Sequence, residues 1–305
     1  MAKMSIRVVL GLLVVAGLAV AGWVAVSDVE AQSQLTGTWT ATVEKDKDNK
    51  IHLSLERNSK GHRNQMGQTY DFADLQGLTR EQAMNGGSVN FSLVREAGRI
   101  DCEGSFQNGK GSGTFRFTGN LAFVSAMKSR GFDFETGMND DIDDRRGENK
   151  LFAATTLNVT TALADDLISA GFGKLQTEDL FKAAIFKIDS KFMREMKASG
   201  FENLAMEDLV KARIFKIDPE FVRQVSQMGF QKEPFESLVK MQIFKVTPEF
   251  ISEVRNEGLT NLQIEDLVKL RIFKIDATYI REAKADGTPL DVEELVRRRI
   301  GVARR

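Results

Sequence analysis

The sequence predicts an α+β chain, a small antiparallel β-sheet or barrel-like domain followed by an α-solenoid-like array of 29-residue two-helix repeats. Three observations lead there. Apolar residues alternate with a period of two from Leu35 to about Gly119, and the period becomes helical from about Leu121. Over the second half, Gly171, Gly200, Gly229, Gly258 and Gly287 recur every 29 residues. With 305 residues, 42% of them hydrophobic and 28% charged, the chain is long enough for two such domains, each with a core.

The first thirty residues differ from the rest. Lys3 and Arg7 precede an uninterrupted apolar stretch from Val8 to Val26, and Val29-Glu30-Ala31 leads into Gln32. A basic end, an apolar run and short residues before a polar one form an export signal cleaved before Gln32, so residues 1–31 are expected to be a signal peptide. The run exceeds the ~7–15 residues usual for such a signal and falls within the ~17–25 that cross a bilayer, so an uncleaved membrane anchor is the alternative. Either way the remainder is expected outside the cytoplasm, periplasmic or secreted, or anchored in the inner membrane by residues 8–26. No cysteine follows the run, which excludes a lipoprotein anchor.

The β domain is expected over 35–119. Trp39, Ala41 and Val43 alternate with threonines, Ile51, Leu53 and Leu55 with polar residues, and Val89, Phe91 and Leu93, then Phe115 and Phe117, repeat the pattern. Turns are expected at Asp46 to Asn49, Ala97-Gly98 and Asn108-Gly109, the last pair tolerating positive φ at both positions. Five or six strands in a meander follow, interrupted from Asp71 to Met84, where Thr79 can cap a short helix. Gly109-Lys110-Gly111-Ser112-Gly113 reads as a hairpin loop, since a phosphate site of that composition belongs at a helix N-terminus. Cys102, the sole cysteine, alternates with charged residues and reads as a buried strand side chain.

The array is expected over 121–305. The tetrad IFKI or IFKV starts at Ile185, Ile214, Ile243 and Ile272, and "FVSAMKSRGF" from Phe123 is a degenerate earlier copy. Gly131 and Gly171 are 40 residues apart, leaving an insertion near 133–148 that carries the acidic run Asn139 to Asp144. In each unit the first helix begins at a cap such as Asp218 or Thr247, with Pro219 or Pro248 next, and ends at the recurring glycine. Phe172, Phe201, Phe230 or Leu259 supplies the apolar contact after it. The second helix starts near Glu207-Asp208 or Glu265-Asp266 and ends near Lys216 or Lys274, with Val210, Ile214 and Ile217 on its apolar stripe. Helices of about ten residues are below the ~12–15 at which an isolated helix becomes marginal in water. The string recurs because each copy is the neighbour that the previous one needs.

Catalytic chemistry is not legible. His52 lies on the polar phase of a strand and His62 in a Lys-Gly-His-Arg stretch, with no two-histidine ligand spacing, no G-x-S-x-G and no phosphate loop. No catalytic residue, cofactor or metal ligand is assigned; the acidic run lacks the glycine and terminal glutamate of a calcium loop. A net charge of -1 argues against a nucleic-acid partner. Two columns stand out. Lys187, Lys216, Lys245 and Lys274, joined by Arg213 and Arg271, would form a basic line suited to an acidic partner, or would simply complement helix C-termini. Phe186, Phe215, Phe244 and Phe273 would pack between units, or form an apolar strip if exposed.

The unit "GFENLAMEDLVKARIFKIDPEFVRQV", Gly200 to Val225, resembles the two-helix repeats that follow the membrane domain in bacterial antirepressor metallopeptidases of the beta-lactam-sensor type and in related exported proteins. The resemblance implies architecture over about Leu121 onward; the H-E-x-x-H of that family is absent, so protease activity is not implied. Leu35-Thr36-Gly37-Thr38-Trp39 is similar to the first strand of avidin-like and lipocalin-like barrels, which implies a small-ligand cavity. The function expected is a non-enzymatic binding or scaffolding role in the bacterial cell envelope, with a protein partner on the repeats. The alternative is an apolar ligand in the β domain with the repeats as a dimerisation or tethering element. Membrane contact is expected only through a retained N-terminal segment.

Overall fold

The computed structural model describes residues 35–44, 49–59, 62–135, 146–171 and 173–301. The expected leader, the acidic run 139–144 and Phe172 lie outside the described residues.

Seven antiparallel strands form one sheet: β1 (Leu35–Val43), β2 (Lys50–Ser59), β3 (His62–Asp71), β4 (Leu75–Gln76), then, after the short helix α1 (Arg80–Asn85), β5 (Gly87–Arg95), β6 (Gly98–Gln107) and β7 (Lys110–Gly119). Their order is β3-β2-β1-β7-β6-β5-β4, so β1 pairs with both β2 and β7, and the sheet curls into a half-barrel whose edges are β3 and β4. The count exceeds the five or six strands expected. The missed strand, β3, reads HRNQMGQTYD and has almost no apolar alternation, as suits an edge strand paired on one side only. The other addition is the two-residue β4 inside the Asp71–Met84 interruption. Lys110 to Gly113 belong to β7 rather than to a loop; the turn itself is Asn108-Gly109, with φ of 50° and 77° as expected.

Close packing requires glycines in β6 and β7, at Gly104 because Trp39 and the β7 backbone lie against it and at Gly113 because the β6 backbone does. The Trp39 indole packs edge-on to Phe91 at 5.2 Å and beside Phe106 at 5.5 Å, and Nε1 donates to the Glu103 carbonyl at 3.1 Å. Gly104 and Gly113 face each other in register. A Cβ on Gly104 would sit 2.6 Å from Trp39 Cζ2 and 2.2 Å from the Ser112 carbonyl oxygen. The short helix is capped as expected, with Thr79 Oγ1 accepting from the Gln82 N–H and Gln82 Oε1 accepting from the Thr79 N–H at 2.8 Å.

Among the described residues twelve further helices follow: α2 (Leu121–Lys128), α3 (Arg146–Leu157), α4 (Thr161–Ser169), α5 (Thr177–Phe186), α6 (Ser190–Ala198), α7 (Met206–Phe215), α8 (Pro219–Gln227), α9 (Phe235–Ile243), α10 (Pro248–Asn256), α11 (Ile264–Ile272), α12 (Ala277–Ala285) and α13 (Val292–Ile300). Most of the expected insertion near 133–148 lies outside the described residues, and α3 starts at Arg146. Odd-numbered helices α3 to α13 pack in succession as one layer, while α2, α4 and α6, and likewise α10 and α12, pack in succession in the other.

Each even-numbered helix after α2 begins on an oxygen that takes the N–H three residues on: Thr160 from Leu163, Asp189 from Phe192, Asp218 from Phe221, Thr247 from Phe250 and Asp276 from Tyr279. The recurring glycines end these helices in the left-handed region, with φ from 68° at Gly171 to 102° at Gly258. The odd-numbered helices from α3 to α11 end in the same conformation without glycine: Asn158, Lys187, Lys216, Lys245 and Lys274 have φ between 52° and 57°. A side chain there costs roughly 1–2 kcal/mol. The turn it makes returns Ile188, Ile217, Val246 and Ile275 to the core, and each donates its N–H five residues back, Ile217 to the Ala212 carbonyl at 2.8 Å.

Sheet and array share packing. One apolar core runs from Leu35 through to Val239 and a second from Val225 to Val296. At the junction Phe152 of α3 stacks on Phe115 at 5.5 Å and meets Phe117 edge-on, and the buried Tyr70 hydroxyl donates to the Thr156 carbonyl at 2.9 Å. Glu96, in the β5–β6 turn, accepts from the Thr161 N–H and hydroxyl at the start of α4.

Two outcomes follow. Gly104→Ala is expected to lower stability by about 1–3 kcal/mol, through displacement of Trp39 and β7, read as a fall in the denaturation midpoint. Burial pushes the Cys102 thiol up to about 12, so a thiol reagent at pH 8 is expected to leave it unlabelled in the native protein and to label it fully in denaturant.

Candidate interaction face

On the odd-numbered helices three positions point away from the core. In α7 these are Glu207, Lys211 and Ile214, at i, i+4 and i+7 on one face. The expectation that Ile214 joins Val210 and Ile217 in the apolar stripe is thus incorrect: Ile214 is 53% exposed, while Ile217, beyond the left-handed Lys216, is 1% exposed. The helix stops at Phe215, so counting a regular helical period through Ile217 gives the wrong face. The same holds along the layer, where Ile185, Ile214, Ile243, Ile272 and Ile300 are 50, 53, 48, 52 and 54% exposed. The phenylalanines beside them, Phe186, Phe215, Phe244 and Phe273, are partly buried and pack against the two cores.

The other two positions form an ion-pair ladder that the sequence reading missed. Lys182 meets Glu207 at 2.5 Å, Lys211 meets Glu236 at 2.5 Å and Lys240 meets Glu265 at 3.6 Å, and Lys269 pairs with Glu293, so each rung joins one odd-numbered helix to the next. The signal was present, since Lys182, Lys211, Lys240 and Lys269 recur every 29 residues. Ladder cations also pair within their own helices, Lys182 with Asp179 at 3.2 Å, Lys211 with Asp208 at 3.6 Å and Arg297 of α13 with Glu294 at 2.8 Å.

The expected basic line is distributed between two roles. Arg213 donates to the Lys187 carbonyl at 2.7 Å, and its guanidinium lies 3.7 Å from the centre of the Phe192 ring. Arg271 repeats this with the Lys245 carbonyl at 3.0 Å and the Phe250 ring at 3.9 Å. Arg299 does so with the Phe273 carbonyl and Tyr279. Arg213 and Arg271 tie a left-handed cap to the next unit, and Arg299 ties the residue before one. Lys187, Lys216, Lys245 and Lys274 are all exposed and, among the described residues, form no ion pair.

Chemistry of other kinds is sparse. His52 is exposed on β2 beside Thr69, as expected. Among the described residues no group of three or more His, Cys, Asp or Glu could hold a metal ion, and no helix is long and apolar enough to cross a membrane. Two open clefts, of about 450 Å³ beside Phe192 and Arg213 and about 590 Å³ beside Phe230 and Arg255, lie between neighbouring units. Comparison with protein-family models, curated proteins and solved structures finds no match to this chain.

Several carboxylates of the array are held in the charged form, Asp166 and Glu207 among them. Hydrogen bonds from the Ser190 hydroxyl and N–H hold Asp166 below the usual carboxylate range, and the Lys182 ammonium does the same for Glu207. A carboxyl depressed in the folded state stabilises above its unfolded pKa of about 4, and that stability is lost as pH falls through the folded value. The melting temperature is therefore expected to be flat near neutrality and to fall below about pH 4.5. Asp166→Asn is expected to melt lower at pH 7 by about 1 kcal/mol equivalent and to show a shallower acid limb in pH-dependent calorimetry. Raising sodium chloride to about 1 M is expected to lower the wild-type melting temperature, and less so that of Lys211→Met with Glu236→Met, where one rung is gone.

Proposed function

We propose that the chain is a non-enzymatic, exported binding or scaffolding protein of the bacterial cell envelope, in which the outer face of the odd-numbered helices receives a protein partner. One observation carries the reading. Along that face the ladder lysines are paired with glutamates, whereas Lys187, Lys216, Lys245 and Lys274 have no carboxylate partner among the described residues and stand two residues beyond exposed isoleucines. Each lysine also occupies a backbone conformation that glycine adopts more readily, so cap geometry alone does not favour its side chain there. Export rests on the apolar run from Val8 to Val26 behind Lys3 and Arg7. The sheet's buried face is occupied by Trp39, Phe91, Phe106, Phe115 and Phe117 with Phe152 of α3 against it, which supports the array rather than the sheet as the contact surface.

Chemical crosslinking in envelope fractions tests the reading. Lys216→Glu with Lys245→Glu is expected to reduce crosslinked partner roughly tenfold, the effect of two reversed surface charges. The melting temperature is expected to hold, because neither side chain makes an ion pair among the described residues. Undiminished crosslinking would remove the lysine row from the account.

A further inference from the structure

We infer that the partner segment is an amphipathic α-helix lying along the array, with an apolar side chain every seven residues and carboxylates on the flank that meets the cap lysines. The inference rests on the array being a protein-interaction surface and names what that surface fits.

The isoleucine row is the first argument. Ile185, Ile214, Ile243, Ile272 and Ile300 are each about half exposed, at a surface position where lysine, glutamate or glutamine would serve a helix better than a β-branched side chain. The row also has a defined start. In α3, which is occupied by the sheet, the corresponding residue is Thr156, 2% exposed, its carbonyl taken by Tyr70. Isoleucine appears from α5 onward, where nothing among the described residues covers the face.

Spacing decides the shape of the partner. Packed helices lie about 8–10 Å apart, which sets the interval between successive isoleucines. An α-helix advances about 10.5 Å in seven residues and returns the same face, so side chains at that spacing drop between consecutive isoleucines. An extended strand covers the distance in about three residues, which turns its side chain to the opposite face. Four intervals call for a helix of roughly 28 residues.

Charge decides its flank. Glu207, Glu236, Glu265 and Glu293 are bound to ladder lysines, so from α7 to α11 the unpaired charge along the row is that of Lys216, Lys245 and Lys274, while in α5 the exposed Glu178 stands against Lys187. Those same glutamates remain more than half exposed beside the isoleucines, and an anionic lipid surface would have to approach them. A helix with one acidic flank avoids them.

The test uses the purified chain and two fluorescent synthetic peptides of about 30 residues and equal composition. One has leucine at every seventh position with glutamates on one flank; the other has the leucines at alternate positions. The first is expected to bind at least tenfold more tightly in anisotropy titrations. Ile214→Gln with Ile243→Gln is expected to weaken it at least tenfold without lowering the melting temperature, and Ile185→Gln with Ile272→Gln serves as a second pair should the first melt early. Lys216→Glu with Lys245→Glu is expected to weaken it most at low salt. Equal binding of both peptides, no binding up to about 1 mM, or indifference to both isoleucine pairs overturns the inference. So does binding to phosphatidylcholine–phosphatidylglycerol vesicles that the isoleucine changes abolish while peptide binding persists. If the peptides fail yet Lys216→Glu with Lys245→Glu still reduces envelope crosslinking, this inference falls and the interaction surface stands.

Discussion

Burial between neighbours is the constraint that the rest of this molecule obeys. Most helices of the array span nine or ten residues, too few to persist in water by propensity. Each therefore needs an apolar partner on either side, and the left-handed turn at the end of α5, α7, α9 and α11 provides it by returning Ile188, Ile217, Val246 and Ile275 inward. The ladder and the arginine ties then fix the register in which neighbours meet. They join residues 24 to 26 positions apart, so they link units rather than strengthen single helices.

The sheet obeys the same constraint at the array's first unit. α3 would be an exposed end without it, and the sheet would lack cover over Phe115 and Phe117. Tyr70 and Glu96 hold the two together by polar contacts to backbone and side-chain groups at α3 and α4. Sheet and early repeats accordingly share one core, although the change of period near residue 120 marks where one architecture gives way to the other.

Much of this was legible in the residues. Period-two alternation located β1, β2, β5, β6 and β7, and the glycine period located the ends of the even-numbered helices, because burial and positive φ leave direct marks on composition. β3 left no such mark, being a polar edge strand. The outward face was misread at one point, Ile214, because an apolar side chain at helical spacing reads as core whether or not anything covers it. Lysine in the left-handed region gave no warning either, since asparagine and glycine are the residues that usually announce it. The ladder was readable in the lysine spacing but needed the neighbouring helix to show which glutamate each lysine reaches.

Because each rung of the ladder joins one helix to the next, the loss of a unit deprives its neighbour of both a buried face and a charge partner. Damage in such an array spreads along the row from the place where it begins.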